Sequence, residues 1–477
     1  MQVLTYPIEE SGKKPVYKYI YECIRRDIIS GKIPKGERLP SKRTLAGNLG
    51  VSVITVENAY SLLEQEGFIY TLQKKGYYVS EDAVTAFGNG YVKEFSKEEE
   101  RELFQDPGDT KENREYIADF SVNTFGADSF PFDAWAKISR KVLLDREESF
   151  LMAPEGRGVY ELRSAISGYL YEAKGISAPA ERIIIGPGTE YLHHILIQLI
   201  GRNSFVAVED PGYKKVGKIY EANGVRVLHI PVDGDGMVID RLPSRGTKLV
   251  HISPSHHFPT GCIMPVSRRR KLLEWAREQD AYIIEDDYDS ELKFEGRPLL
   301  PMYSMGSDRV IYMNTFTRTL APSIRVAYMV LPEKLDKIYS ERLDFYSGTV
   351  SAFEQYTLAA FIREGYYERH IRRMRKRFAK CHDRLLRAFK ETGLDRDAIL
   401  HESKAGLHLM IEFKKEVNKN FIKLLEDDYV KINPIDLYCY NSELSYKNKY
   451  LICYGEIAED RLITAMKAIK GALKENG

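Results

Sequence analysis

Two hydrophobic rhythms divide the chain. Before residue 80, apolar positions recur every three or four residues, and Ile20, Ile24 and Ile28 share one face of a first helix that Gly31 stops. "PSKRTLAGNLG" reads as a short second helix with Ser41 as N-cap and Gly50 as C-cap. "VSVITVENAYSLLEQEG" reads as a third, capped by Ser52 and closed by Gly67. "FIYTLQKKGYYVS" then reads as a hairpin turning at Lys74, Lys75 and Gly76. From about Tyr116 the rhythm changes to short β-rich runs separated by helix-length segments. The runs are "RIIIG", "SFVAVED", "VRVLHI", "KLVHIS", "AYIIEDD", "RVIYMN" and "RVAYMVL". Apolar strands alternating with helices predict an α/β domain with a mostly parallel sheet covered on both faces. After Ser351 the pattern turns helical. "FIREGYYERHIRRMRKRFAKCHDRLLRAFK" reads as one long amphipathic helix, and a smaller α/β piece containing "GLHLMIEF" and "YLICYG" follows. Between the two rhythms, Glu81 to Glu115 is polar and charged and reads as a linker. The expected division is 1–80, a linker over 81–115, a large domain over 116–350 and a C-terminal part over 351–477.

Composition narrows the function. A chain of 477 residues that is 43% hydrophobic can bury sizeable cores in two or three domains. The net charge of +1 argues against a protein that coats nucleic acid along its whole length. The first 80 residues differ, with twelve Lys and Arg against eight Asp and Glu, while the rest is slightly negative. No apolar run reaches membrane-spanning length, "MQVLTYPIEESGKK" lacks a signal-peptide core, and the five cysteines form no CxxC pair. A cytoplasmic chain with reduced thiols and no membrane partner is the expectation.

Helix, short helix, turn, helix and basic hairpin make a winged helix-turn-helix. Its third helix would offer Ser52 and Thr55 to base edges. Ser41, Arg43, Lys74, Lys75 and the backbone at Gly76 would meet phosphates or the minor groove. Three-helix modules also dock proteins, but the local positive surplus favours DNA. "GERLPSKRTLAGNLGVSVITVENAY" resembles the GntR-type winged helix, with Arg43 retained and Val53 standing where that family usually has a DNA-contacting arginine.

From about Phe120 onward the chain resembles the fold-type I aminotransferases. The likeness rests on "FPFDAWAKISRKVL", "PEGRGVYELRSAISGYL", "IGPGTEYL", "VEDPGY", "SPSHHFPTG", "IIEDDYDSEL", "TFTRTLAPSIRVAY" and "YYERHIRRMRKRF", in the family's order. With the GntR-type head, the whole resembles MocR/GabR-type regulators. The resemblance implies a pyridoxal phosphate site. Gly188, Thr189 and Glu190 would present backbone N–H groups to the phosphate where a strand gives way to a helix; an ordinary strand-to-helix turn is the plain alternative. Tyr213 would stack on the ring, though a lone tyrosine is more often core. Asp286 would pair with the ring nitrogen, and Tyr288 would donate to the phenolic oxygen. Thr315, Thr317 and Arg325 would complete the phosphate shell.

Arg318 departs from that pattern, because the family has a lysine there that binds the cofactor aldehyde covalently. A guanidinium stays charged and cannot take that role, so ordinary transamination is expected to be lost. Arg318 fits either a regulator that has abandoned the covalent link or an introduced Lys→Arg change. Two arginines that hold an effector carboxylate in GabR-like chains are also replaced, by Lys215 and Cys453. The basic run Arg369 to Arg377 is read as a solvated or dimer-facing helix. The expectation is a homodimeric transcriptional regulator. It would bind operator DNA and sense pyridoxal phosphate or an adduct with an amino compound, held non-covalently, with the effector shifting the heads through the linker. The rivals are an aminoadipate-type aminotransferase that carries a DNA-binding head, and a regulator that no longer binds the cofactor.

Overall fold

The computed structural model describes all residues except 1–3, 9–13, 73–74, 81–115, 124–125, 127–128, 295–299, 402–405, 419, 442–445 and 476–477. The expected linker and Lys74 lie outside the described residues. The chain divides into two units, 1–113 and 114–477.

In the first unit, α1 (Val16–Ile29), α2 (Lys42–Leu49) and α3 (Val53–Gln65) precede an antiparallel hairpin of β1 (Ile69–Leu72) and β2 (Gly76–Val79). The isoleucine stripe of α1 is fully buried against Leu45, Val56, Tyr60, Leu63, Phe68 and Val79. Each such side chain contributes roughly 1.5–3 kcal/mol on leaving water, which fixes the face that packs inward. Both expected caps form. The Ser41 hydroxyl accepts from Thr44 N at 3.1 Å and the Ser52 hydroxyl from Thr55 N at 3.2 Å. Gly50 ends α2 at φ +66°, a left-handed conformation that costs glycine nothing.

The second unit is built on an eight-stranded sheet. Its order is Ile183–Gly186, Ala327–Val330, Val310–Thr315, Tyr282–Asp286, Thr247–Ile252, Phe205–Asp210, Arg226–Asp233 and Gly236–Met237. Five central strands run parallel, and Ala327–Val330 is antiparallel to both neighbours. All seven runs read from the sequence are strands here. Their near-continuous apolar character follows from burial on both faces, with separate clusters of side chains above and below. The carboxyl ends of the parallel strands carry Asp210, Ile252, Asp286 and Thr315 to one edge. A second sheet of four antiparallel strands, Ala398–His401, His408–Phe413, Lys449–Cys453 and Asn433–Pro434, packs with the helix Glu459–Glu475.

One expected element differs. The long helix is two helices, Ala352–Arg363 and Tyr366–Glu391, separated at Gly365, which stands at φ +71°. A left-handed residue interrupts the i→i−4 ladder, so the apolar stripe continues while the helix axis does not.

Candidate functional site

At the carboxyl edge of the parallel strands lies a cavity of about 290 Å³. It gathers Gly188, Thr189, Glu190, Tyr213, Lys215, Asp286, Tyr288, Thr315, Thr317, Arg318 and Arg325, contributed by segments more than 130 residues apart in sequence. Each arrives by a local rule. Gly188 precedes the helix Thr189–Ile200 at φ +113°, so the first helical N–H groups face the cavity. Tyr213 precedes the helix Lys214–Ala222 and is half exposed, its ring edge-on to Phe258. Asp286 ends a strand paired in parallel with Val310–Thr315, which carries Thr315 to the same edge.

The polar geometry is specific. Asp286 Oδ2 lies 3.4 Å from His251 Nε2, and its buried Oδ1 accepts no hydrogen bond among the described residues. Tyr288 donates to the His256 carbonyl at 2.9 Å. Thr315 donates to the Thr317 hydroxyl at 2.9 Å, and Thr317 donates to the Ile324 carbonyl at 3.0 Å, so both hydroxyls brace the turn that carries Arg318. Arg325 Nη2 lies 2.9 Å from Glu190 Oε2, and Lys215 bonds the other oxygen of that carboxylate. Lys215, expected beside an effector carboxylate, is thus engaged with Glu190 at the Arg325 end. Arg318 is exposed and has no ion-pair or hydrogen-bond partner among the described residues.

A second cavity, of about 280 Å³, shares Asn123, Tyr213, Phe258, Tyr288 and Arg318 with the first. It is also lined by Asp289, His408, Tyr438 and Cys453. Arg318 therefore stands between the two. Asp289 accepts from His256 at 2.8 Å and is already matched.

Glu209, His251, Asn123 and Tyr440 line the first cavity and were not singled out from the sequence. Glu209 was findable, because it stands with Asp210 in the acidic end of an apolar strand, as Asp286 does in its own. Burial pushes its carboxyl up to about 8, against the pull of the Ser253 N–H 3.0 Å away. Asn123 and Tyr440 come from segments without a local signal.

In the first unit, Arg43 is exposed on α2, and Val53 and Ile54 are exposed on the first turn of α3. Ser52 and Thr55 share a hydroxyl contact of 2.8 Å, and Ser41 and Thr44 one of 2.6 Å. Lys75 is exposed at the hairpin turn, and Gly76 opens β2. The basic run Arg369 to Arg377 is partly engaged within the chain. Arg375 donates to the Glu291 carbonyl, Arg373 to the Ser129 carbonyl, and Arg377 pairs with Glu456.

Residues 117–444 match the aminotransferase class I and II family, and residues 16–79 match the bacterial regulatory proteins of the gntR family. The chain is 35% identical to the uncharacterized HTH-type transcriptional regulator YdeL of Bacillus subtilis (strain 168), over 96% of this chain and 97% of that one. It is 30% identical to the probable rhizopine catabolism regulatory protein MocR of Rhizobium meliloti, over 91% and 89%. It is 29% identical to the pyridoxine biosynthesis transcriptional regulator PdxR of Corynebacterium glutamicum, over 74% of each. Among solved structures, a kynurenine aminotransferase of Pyrococcus horikoshii shares the fold of 81% of this chain and 97% of its own. The TM-score is 0.66 and the identity 23%. Among the described residues no helix is long and apolar enough to cross a membrane.

Proposed function

Since the chain belongs to the MocR-type transcriptional regulators, a gntR-family DNA-binding head joined to a class I and II aminotransferase domain, we propose that its cavity takes pyridoxal phosphate, or an adduct with an amino compound, as a non-covalent regulatory ligand. The observation that carries this reading is a cofactor-type cavity in which residue 318 is a guanidinium without a partner.

The residues fit the group. The buried, unpartnered oxygen of Asp286 suits a protonated ring nitrogen. A Cβ at residue 188 would stand 2.5 Å from Arg325 and 2.6 Å from Glu190, so glycine there keeps the seat open. Arg325 and the N–H groups at the start of the helix Thr189–Ile200 supply donors for a phosphate, the Thr315 and Thr317 hydroxyls join them once turned from their partners within the chain, and Tyr213 offers a ring face. When bound, the group supplies a reactive aldehyde on an electron-withdrawing ring. Arg318 cannot lose its proton to bond that aldehyde or to shuttle protons, which favours sensing over transamination. The name of one relative, a pyridoxine biosynthesis regulator, lends support.

The chain acts as a homodimer whose two heads read two half-sites of operator DNA. The test is a gel-shift of the purified chain with its own upstream region, with and without pyridoxal phosphate. The expected result is a specific shift whose midpoint moves at least about threefold with the ligand. A midpoint that the ligand leaves in place, at any salt concentration, counts against the sensing role.

A further inference from the structure

Three positive elements converge on one side chain. Arg325 Nη2 is 2.9 Å from Glu190 Oε2, Lys215 Nζ bonds Oε1, and Glu190 itself lies in the first turn of the twelve-residue helix Thr189–Ile200. These are the groups that a phosphoryl oxygen would use at this end of the cavity. They already share a carboxylate that belongs to the chain.

We propose that Glu190 is an internal competitor for the phosphate seat, an anion that sets how strongly the cavity holds a phosphorylated ligand. The proposal rests on the reading of the cavity as a pyridoxal phosphate site. Its physical basis is charge balance. A dianionic group entering the seat meets two cations and one anion rather than two cations alone. It must either displace the carboxylate from Arg325 and Lys215 or bind beside it against like-charge repulsion. Both routes weaken binding of the phosphoryl end and leave the ring contacts of Asp286 and Tyr213 untouched. The consequence is selectivity: a bare phosphate ion finds a seat whose positive charge is partly cancelled and binds weakly, whereas a ligand that also engages the ring-binding residues can still enter. Such weakening suits a sensor that must release its ligand as concentration falls, because a Kd below the working concentration keeps a receptor saturated.

The experiment compares the full-length parent with Glu190→Gln. The amide keeps the shape and can still hydrogen-bond, but it removes the charge. Glu190→Ser serves as a second variant in which neither charge nor reach remains. Because Glu190 is partly exposed, both variants are expected to fold, and a thermal melt matching the parent's verifies it. Affinities for pyridoxal phosphate, pyridoxal and inorganic phosphate are measured by titration calorimetry. The expected result is that Glu190→Gln binds pyridoxal phosphate at least about tenfold more tightly, with pyridoxal changed less than about twofold. Equal or weaker affinity of both variants for pyridoxal phosphate overturns the proposal and leaves the cavity reading in place. Equal gains for pyridoxal and its phosphate also overturn it, since the effect then lies outside the phosphate seat. Failure of the parent and both variants to bind either pyridoxal compound overturns the reading and the proposal together.

Discussion

Arg318 stands on a turn held by the hydroxyls of Thr315 and Thr317, facing two cavities, with no carboxylate to neutralise it among the described residues. Its chemistry can be tested without knowing the effector. A lysine in its place is a nucleophile that can condense with an aldehyde, and the guanidinium is not. Incubation with pyridoxal phosphate, borohydride reduction and intact-mass measurement should therefore label Arg318→Lys near stoichiometrically at residue 318. The parent should remain close to unlabelled. Substantial labelling of the parent at Lys215 would mean that another amine has taken over the linkage. Asp286 was legible because it ends an apolar strand where a charge has no packing purpose, and Arg318 because "TFTRTLAP" lies on a family pattern whose lysine it replaces. The partnership of Glu190 with Arg325 and Lys215 was not legible. Three residues on three separate segments meet only once the strands are ordered, and no local pattern encodes that order.

At the level of elements, local chemistry decided most boundaries. Ser41 and Ser52 satisfy N–H groups that α2 and α3 leave open, and glycines at +66° and +77° follow the ends of α2 and α3. The same logic explains the misread helix after Ser351. Its apolar periodicity runs straight through Gly365, and only the backbone conformation there separates two helices from one. The cap of α3 matters most for function, since it sets the turn that carries the exposed Val53 and Ile54. Ser52→Ala should destabilise the head by about 1 kcal/mol, and Ser52→Asp should recover most of that loss. Calorimetric unfolding of the full chain reads this as a lowered head transition with the transition of the larger unit unmoved. A head transition that does not move would mean that the hydroxyl faces solvent in the folded chain.

The assembly of the molecule is where sequence patterning says least, because an interface and a core draw on the same apolar residues. The second unit nevertheless displays hydrophobic surface that a lone chain has little reason to keep. Leu151 is 87% exposed, Met152 72% and Phe345 76%. Their segments are neighbours: Gly348 N donates to the Pro154 carbonyl at 3.1 Å, and the rings of Phe150 and Phe353 stack with centroids 4.1 Å apart. Exposed apolar side chains on neighbouring segments mark a contact surface, and a second copy of the chain is the occupant that the proposed homodimer would supply. Leu151→Asp, or Leu151→Asp with Met152→Asp, should therefore shift the sedimentation mass from twice 54.9 kDa towards a single chain. Neither side chain is buried within the unit, so the single chain should keep its fold, with an unchanged circular dichroism spectrum and a melting transition lowered only by the stabilisation that association supplied. DNA binding should fall with the dimer. Two linked heads bind a paired site through effective concentration, and separating them forfeits on the order of 10²-fold or more in apparent affinity while binding to a single half-site persists. A variant that stays dimeric, or one that becomes monomeric yet holds the paired site as tightly as the parent, would remove the patch from the account of how this regulator engages its operator.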